Sequence, residues 1–303
     1  VVLTVGLKKN EVFRISSASC VLPEVMVYLT NMQNQYESVY GSQIWNASDG
    51  QLSLEQEERE QVLTQLARIK VMNLLAQKKE VTLDDKEKER AAAAGREYFT
   101  SLNSAEVTAL NVTQDLITKM YEEYALAEKV YQTIVENVNP EVSDDEARTI
   151  TVDMIRVSDS AKASQVLGKA KEEGVDFETL AQAESEDQTV TQSFGKGEVS
   201  EALEKAAFNL GKDEISDVVE SDGSYYILKC ISTFDEAQTK ANKEKIVKQR
   251  QSEAFDTEYT AFEQTLVRQL NEELWNSVTM IHQDDVKTSS FFEVYQMYFQ
   301  HQE

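Results

Sequence analysis

Phe194-Gly-Lys-Gly-Glu198 sets two glycines around a lysine just ahead of a short amphipathic run, a pattern that raises the chemistry of phosphate binding. A phosphate loop needs four residues between its glycines, then lysine followed by serine or threonine, so that several backbone N–H groups converge on one anion. Here a single lysine separates the glycines. The stretch is expected to turn the chain, not to cradle a nucleotide.

Other chemistries fail on residue supply. Hydrolysis of the Ser-His-Asp or Cys-His kind needs an imidazole to take the nucleophile's proton. The only histidines are His282 and His301, close to the end of a 303-residue chain, and their scarcity also removes imidazole metal sites. Cys20 and Cys230 form no CxxC pair, and a disulfide between them stays open. The fragment NASDGQLS from Asn46 has the glycine of a calcium loop. Setting Gly50 at the sixth position, however, puts Trp45, Ala47 and Gln56 where ligands belong. No metal or cofactor is expected. Carboxylates abound, but on so acidic a chain close pairs arise from composition and mostly mean solvated charge.

The elements that must position any site follow from the totals and the periodicity. With 54 acidic against 30 basic residues the net charge is -24, which repels nucleic-acid phosphates and an anionic lipid face alike. Two prolines and ten glycines argue for long helices. No apolar run reaches membrane-spanning length. The opening VVLTVG, without methionine, reads as a processed or trimmed part whose address label is missing. Apolar residues at spacings of three and four predict helices over 22–39, 54–78, 84–99 and 116–138, so the first 140 residues read as all helical. Beyond Pro140, β-branched alternation at 147–159 predicts a strand. Helices follow at 161–173, 177–183 and 201–209, with strands at 214–220 and 224–232. From 235 the helical texture returns, with Phe255, Tyr259, Phe262, Leu266 and Leu270 on one stripe, and the aromatic tail SSFFEVYQMYFQ needs covering as a last helix or by a partner.

The order strand, two helices, FGKGEV, AAFNLG, EIS, VV, strand resembles the parvulin family of peptidyl-prolyl isomerases. The most specific parts are GVDFETLAQAES, FGKGEVSEALEKAAFNL and DEISDVVESDGSYYILK. The helical flanks are similar to the split chaperone domain of PrsA-type foldases and SurA-type chaperones. The resemblance implies an α+β chain: a mainly helical chaperone domain built from 1–143 and 235–303, with an inserted parvulin-like domain at 144–234 holding a four-stranded antiparallel sheet and surrounding helices.

In parvulins a proline enters a shallow apolar pocket beneath two histidines, with an acid or thiol and a hydroxyl on its polar rim. Carried over residue by residue, the first histidine falls on Met154 and the second on Tyr226. The acid falls on Asp187, the hydroxyl on Ser221, and the apolar floor on Thr191, Val199, Leu203 and Phe208. Both histidines are gone, whatever the register, since none precedes His282. Met154 and Val199 serve equally well as core residues. Ser221 and Asp187 suit turns, and Tyr226 fills the space an imidazole left.

The resemblance implies an extracytoplasmic folding factor that binds unfolded or nascent secreted polypeptides and proline-containing peptides, with weak or no isomerase activity. It implies no cofactor, a place outside the membrane of a Gram-positive bacterium, and membrane contact only through a lipid anchor. Two other readings stay open: a working isomerase, and a structural envelope protein or homodimer.

Overall fold

The computed structural model describes residues 6–48 and 50–300. Two compact units divide the chain: Val1–Asn137 with Ala254–Glu303, and Val138–Glu253.

The first unit opens with a hairpin, β1 (Glu11–Ile15) and β2 (Ala18–Val21), turned at Ser16, whose φ of 48° is left-handed. Helix α1 (Leu22–Tyr40) follows at once. Pro23 sits in its first turn, and the Glu24 carboxylate accepts from the Val21 N–H at 2.8 Å. Helices α2 (Leu54–Lys78), α3 (Asp85–Ser101) and α4 (Ser104–Leu110) each start on a reciprocal cap: Ser53 with Gln56, Asp84 with Glu87, Asn103 with Glu106. Helix α5 (Gln114–Val135) starts on Thr113.

The second unit runs α6 (Asp144–Ala147), β3 (Ile150–Val157), α7 (Ser160–Ala170), α8 (Phe177–Glu184), β4 (Thr191–Phe194), α9 (Glu201–Phe208), β5 (Val219–Ser221) and β6 (Ser224–Ser232). Its strands form one antiparallel sheet in the order β4-β3-β6-β5. Asp222 and Gly223, with φ of 51° and 75°, make the tight β5–β6 turn that a right-twisted hairpin favours. The strand expected over 214–220 is shorter: Ile215 makes only an isolated bridge to Lys229, and pairing starts at Val219.

Helix α10 (Glu236–Glu263) carries the chain back into the first unit, followed by β7 (Arg268–Leu270), α11 (Glu272–Ser277) and α12 (Phe291–Phe299). β7 pairs with β1, Phe13 opposite Leu270, to complete a three-stranded sheet β2-β1-β7. Two expectations are corrected here. The first 140 residues are not all helical, and the expected stripe stops short: α10 ends at Glu263, which leaves Leu266 in the following loop and Leu270 in this sheet. Strands of five, four and three residues are too short to show a period, and their pairing joins opposite ends of the chain.

The aromatic tail is covered from within. Phe291 is fully buried, stacks on Tyr121 with ring centroids 4.4 Å apart, and meets Tyr98 edge-on at 5.3 Å. Cys20 and Cys230 are both buried and free, so no disulfide joins them.

Candidate functional site

Strand alternation sorts the second unit's side chains into two cores. Ile155, Val157 and Ile227 face α7 and α8, packing on Val166 and Phe177. On the opposite face Ile150, Val152, Met154, Leu228 and Cys230 pack against Leu203 and Ala207 of α9 and Phe194 of β4. Val199, Phe208, Val219 and Tyr226 lie partly buried at the edge of the same cluster. Burial pushes the Cys230 thiol above its usual range, which makes it a small core residue, not a nucleophile.

The second face gathers most of the expected pocket. Met154, expected at the first imidazole position, is 4 % exposed and packs as a core side chain. Two residues along β3, Arg156 is the register partner of Tyr226, so both stand on the Met154 face. Arg156 Nε donates to Asp187 Oδ1 at 2.7 Å, and Nη1 lies 3.7 Å from Glu186 Oε2. The Asp187 bond, with Glu186 adding to it, holds the guanidinium above its ordinary pKa against some loss of solvent. Ser221 is buried, and its Oγ lies 2.8 Å from that of Ser200, the N-cap of α9, which accepts from the Leu203 N–H. One hydroxyl pair thus ties the sheet edge to the helix that closes the pocket.

One floor residue does not fit as expected. Thr191 is the register partner of Asp153 and donates to its Oδ1 at 2.6 Å, which sets it on the face opposite Met154. The apolar floor therefore lacks it. Phe208 keeps contact with the cluster, but its ring is flanked by the Arg148 guanidinium at 4.8 Å and the Lys196 ammonium at 5.5 Å, with Phe194 edge-on at 6.2 Å.

Arg156, Ser200 and Ser224 escaped the sequence reading. Arg156 could have been found by counting two from Met154 along a strand, and Ser224 lies opposite Ser221 across the β5–β6 pairing. Arg156 Nη1 reaches Ser224 Oγ at 3.5 Å.

The glycine pair is a turn, as expected. Gly195 N–H donates to Glu198 Oε2 at 2.7 Å and Gly197 N–H to Glu204 Oε1 at 2.5 Å, so the chain's own carboxylates take the amides a phosphate would need. Gly197 has φ of 85°, which a side chain would strain. His282 follows α11 in the first unit, and His301 lies outside the described residues.

A four-stranded antiparallel sheet with one apolar face covered by α9 is the arrangement expected of a parvulin-type module. Residues 128–245 match the model of the PPIC-type PPIase domain. The chain thus carries such a domain, and its similar proteins are PrsA foldases. It is 31 % identical over 165 residues to the "Foldase protein PrsA" of Streptococcus pneumoniae strains Hungary19A-6 and CGSP14, covering 48 % of this chain and 53 % of each relative. The chain spans about half the length of the curated relatives it matches. Among solved structures, the peptidylprolyl isomerase PrsA of Bacillus cereus aligns at 19 % identity with a TM-score of 0.40, covering 80 % of this chain and 91 % of that one. A structure described under the SurA-like chaperones PEB4 and Cj1289 of Campylobacter jejuni aligns at 10 % identity with a TM-score of 0.34, covering 86 % and 99 %.

Proposed function

We propose that this chain is an extracytoplasmic protein-folding factor. Its helical unit holds unfolded secreted polypeptides, and its parvulin module binds proline-containing peptides with weak or no isomerase activity. The inserted module is assigned to 144–234 and the helical flanks to 1–143 and 235–303. Its place is outside the cytoplasmic membrane of a Gram-positive bacterium, held by a lipid anchor. Among the described residues no helix is long and apolar enough to cross a membrane.

The single observation supporting the weak-isomerase reading is that Met154 and Tyr226, the residues the resemblance aligns with the two imidazoles, lie on one sheet face in a module without histidine. Rotation about X-Pro must cross a barrier of about 18–20 kcal/mol set by amide resonance, and catalysis needs groups that favour the twisted amide over the planar one. A thioether buried in the core offers no hydrogen-bond donor for that purpose. Asp187 already accepts from Arg156, and Ser221 already shares its hydroxyl with Ser200.

A protease-coupled proline isomerisation assay tests the module: rates within a few-fold of buffer are expected. Light scattering of a denatured client diluted into buffer tests the holding function. Scattering unchanged by a stoichiometric amount of the full chain removes that part of the proposal.

A second reading, a working isomerase, is favoured by one observation: Tyr226, the Ser221 hydroxyl and the Asp187–Arg156 pair belong to one sheet face. Positioning in a dry pocket contributes to catalysis without a nucleophile. A rate well above buffer that falls with Tyr226→Phe selects this reading.

A further inference from the structure

Helices α2 and α5 leave between them a cleft of about 760 Å³, the scale of a ligand pocket. Met72, Tyr124, Tyr131 and Phe299 supply its apolar lining. These rings are set by packing before anything binds: Tyr124 stands edge-on to Tyr295 at 4.5 Å, and Tyr131 leans on Phe255 at 5.0 Å. Rigid aromatic walls lower the entropy cost of capturing a partner.

The cleft also carries exposed polar groups that have no partner in the protein among the described residues. Arg68 lies over the rings of Phe255 and Tyr259, 5.2 Å from each. Among the described residues it makes no ion pair and no hydrogen bond, in a chain with 54 acidic and 30 basic residues. On the α5 wall Glu128 receives the Tyr295 hydroxyl on Oε2 at 2.5 Å and does not pair with Arg68. Among the described residues the side-chain amides of Gln65 and Gln132, also in the lining, make no hydrogen bond to the protein.

We infer that this cleft takes an extended segment of another, unfolded polypeptide carrying an acidic side chain beside an aromatic or large aliphatic one. The acidic group meets Arg68, whose five donors lack a carboxylate. The neighbouring apolar side chain enters between Tyr124 and Tyr131. The main-chain N–H and C=O groups of an extended segment find the glutamine amides and Glu128, whereas a folded helix would leave those amides unmatched. The inference rests on the holding function proposed above and assigns it a site and a sequence preference.

The test uses the full chain and a fluorescein-labelled, unstructured twelve-residue peptide with two Phe-Asp pairs and no proline, which leaves the parvulin pocket out of the measurement. A second peptide has lysine in place of each aspartate. In anisotropy titrations the aspartate peptide is expected to bind the more tightly. Arg68→Gln should weaken it roughly tenfold, the scale of a charge-assisted hydrogen bond, and leave the lysine peptide unchanged. Gln65→Trp, an exposed change that narrows the cleft, should weaken both. Thermal melts of both variants close to that of the parent chain establish that they fold. Equal binding of the two peptides, or binding indifferent to both substitutions, overturns the inference. So does a concentration-dependent dimer abolished by Gln65→Trp without peptide binding, which would assign the cleft to a second copy. The scattering assay is read in parallel. Client protection that survives both substitutions sinks the cleft and leaves the holding function standing, whereas its absence from the parent chain sinks the holding function itself.

Discussion

Tyr121 and Phe291, 170 residues apart in sequence, stack at an interplanar angle of 10°, and the Tyr121 hydroxyl donates to the Phe291 carbonyl at 2.7 Å. Asn31 Oδ1 accepts from the Phe291 N–H at 2.9 Å, so the residue is held by its ring and by both backbone groups. This is how the end of the chain is built into the helical unit that its beginning starts.

Phe291→Ala should therefore cost about 3–5 kcal/mol, the range for emptying a buried aromatic site. Phe291→Leu should cost less. Urea titrations followed by tryptophan fluorescence, with Trp45 and Trp275 both in this unit, read the difference.

Lys70 is buried, with Nζ 2.7 Å from Glu24 Oε1 and 2.6 Å from Glu123 Oε2. Burial opposes its charge, but Glu123 and Glu24 outweigh it and raise its pKa. The pairing is therefore fully present below the ordinary lysine pKa of about 10.4 and is lost only as pH rises through the higher folded value. Lys70→Met strands two carboxylates and should cost about 3–5 kcal/mol. Adding Glu24→Gln should recover part of that loss. A double-mutant cycle in urea decides, and simple additivity of the two changes would contradict the pairing.

Glu11 gives an acid-side prediction. Its bond from Arg14, aided by the Lys8 N–H and opposed by burial, lowers its pKa from 4.5 to about 2. A depressed carboxyl contributes stability above its unfolded value and loses it as pH falls toward its folded value. Glu11→Gln should therefore flatten the stability profile between pH 4.5 and about 2, and leave the slope above pH 6 unchanged. Denaturant midpoints taken across that range provide the check.

Ser200 and Ser221 share one hydrogen bond but should not be equivalent. Ser200→Ala removes the cap of α9 and leaves the buried Ser221 hydroxyl alone, at a cost of about 1–2 kcal/mol. Ser221→Ala leaves the cap in place and should cost about half as much. Equal losses in thermal melts would mean that the cap carries no weight.

The helices were legible because their signals are local. Ser53 with Gln56 and Asp84 with Glu87 mark two starts three residues apart, and the stripe from Leu116 to Ile134 is visible in α5 without any partner. The glycine frame at 195–197 was also readable as a turn. Pocket membership was less so. Alternation alone would have put Arg156 beside Met154, but that Thr191 faces away depends on which residue of β3 it opposes, and no spacing within β4 states that.

What the chain determined by itself was the set of longer helices, the order of the parvulin-type module and the absence of histidine from it, since composition and periodicity act over a few residues. Only the tertiary structure decided that Phe13 pairs with Leu270, that Phe291 fills the core beside Tyr121, and that Asp187 is engaged by Arg156. Those contacts join residues far apart in sequence. Their free energy comes from burial and pairing across the fold, which no local window contains.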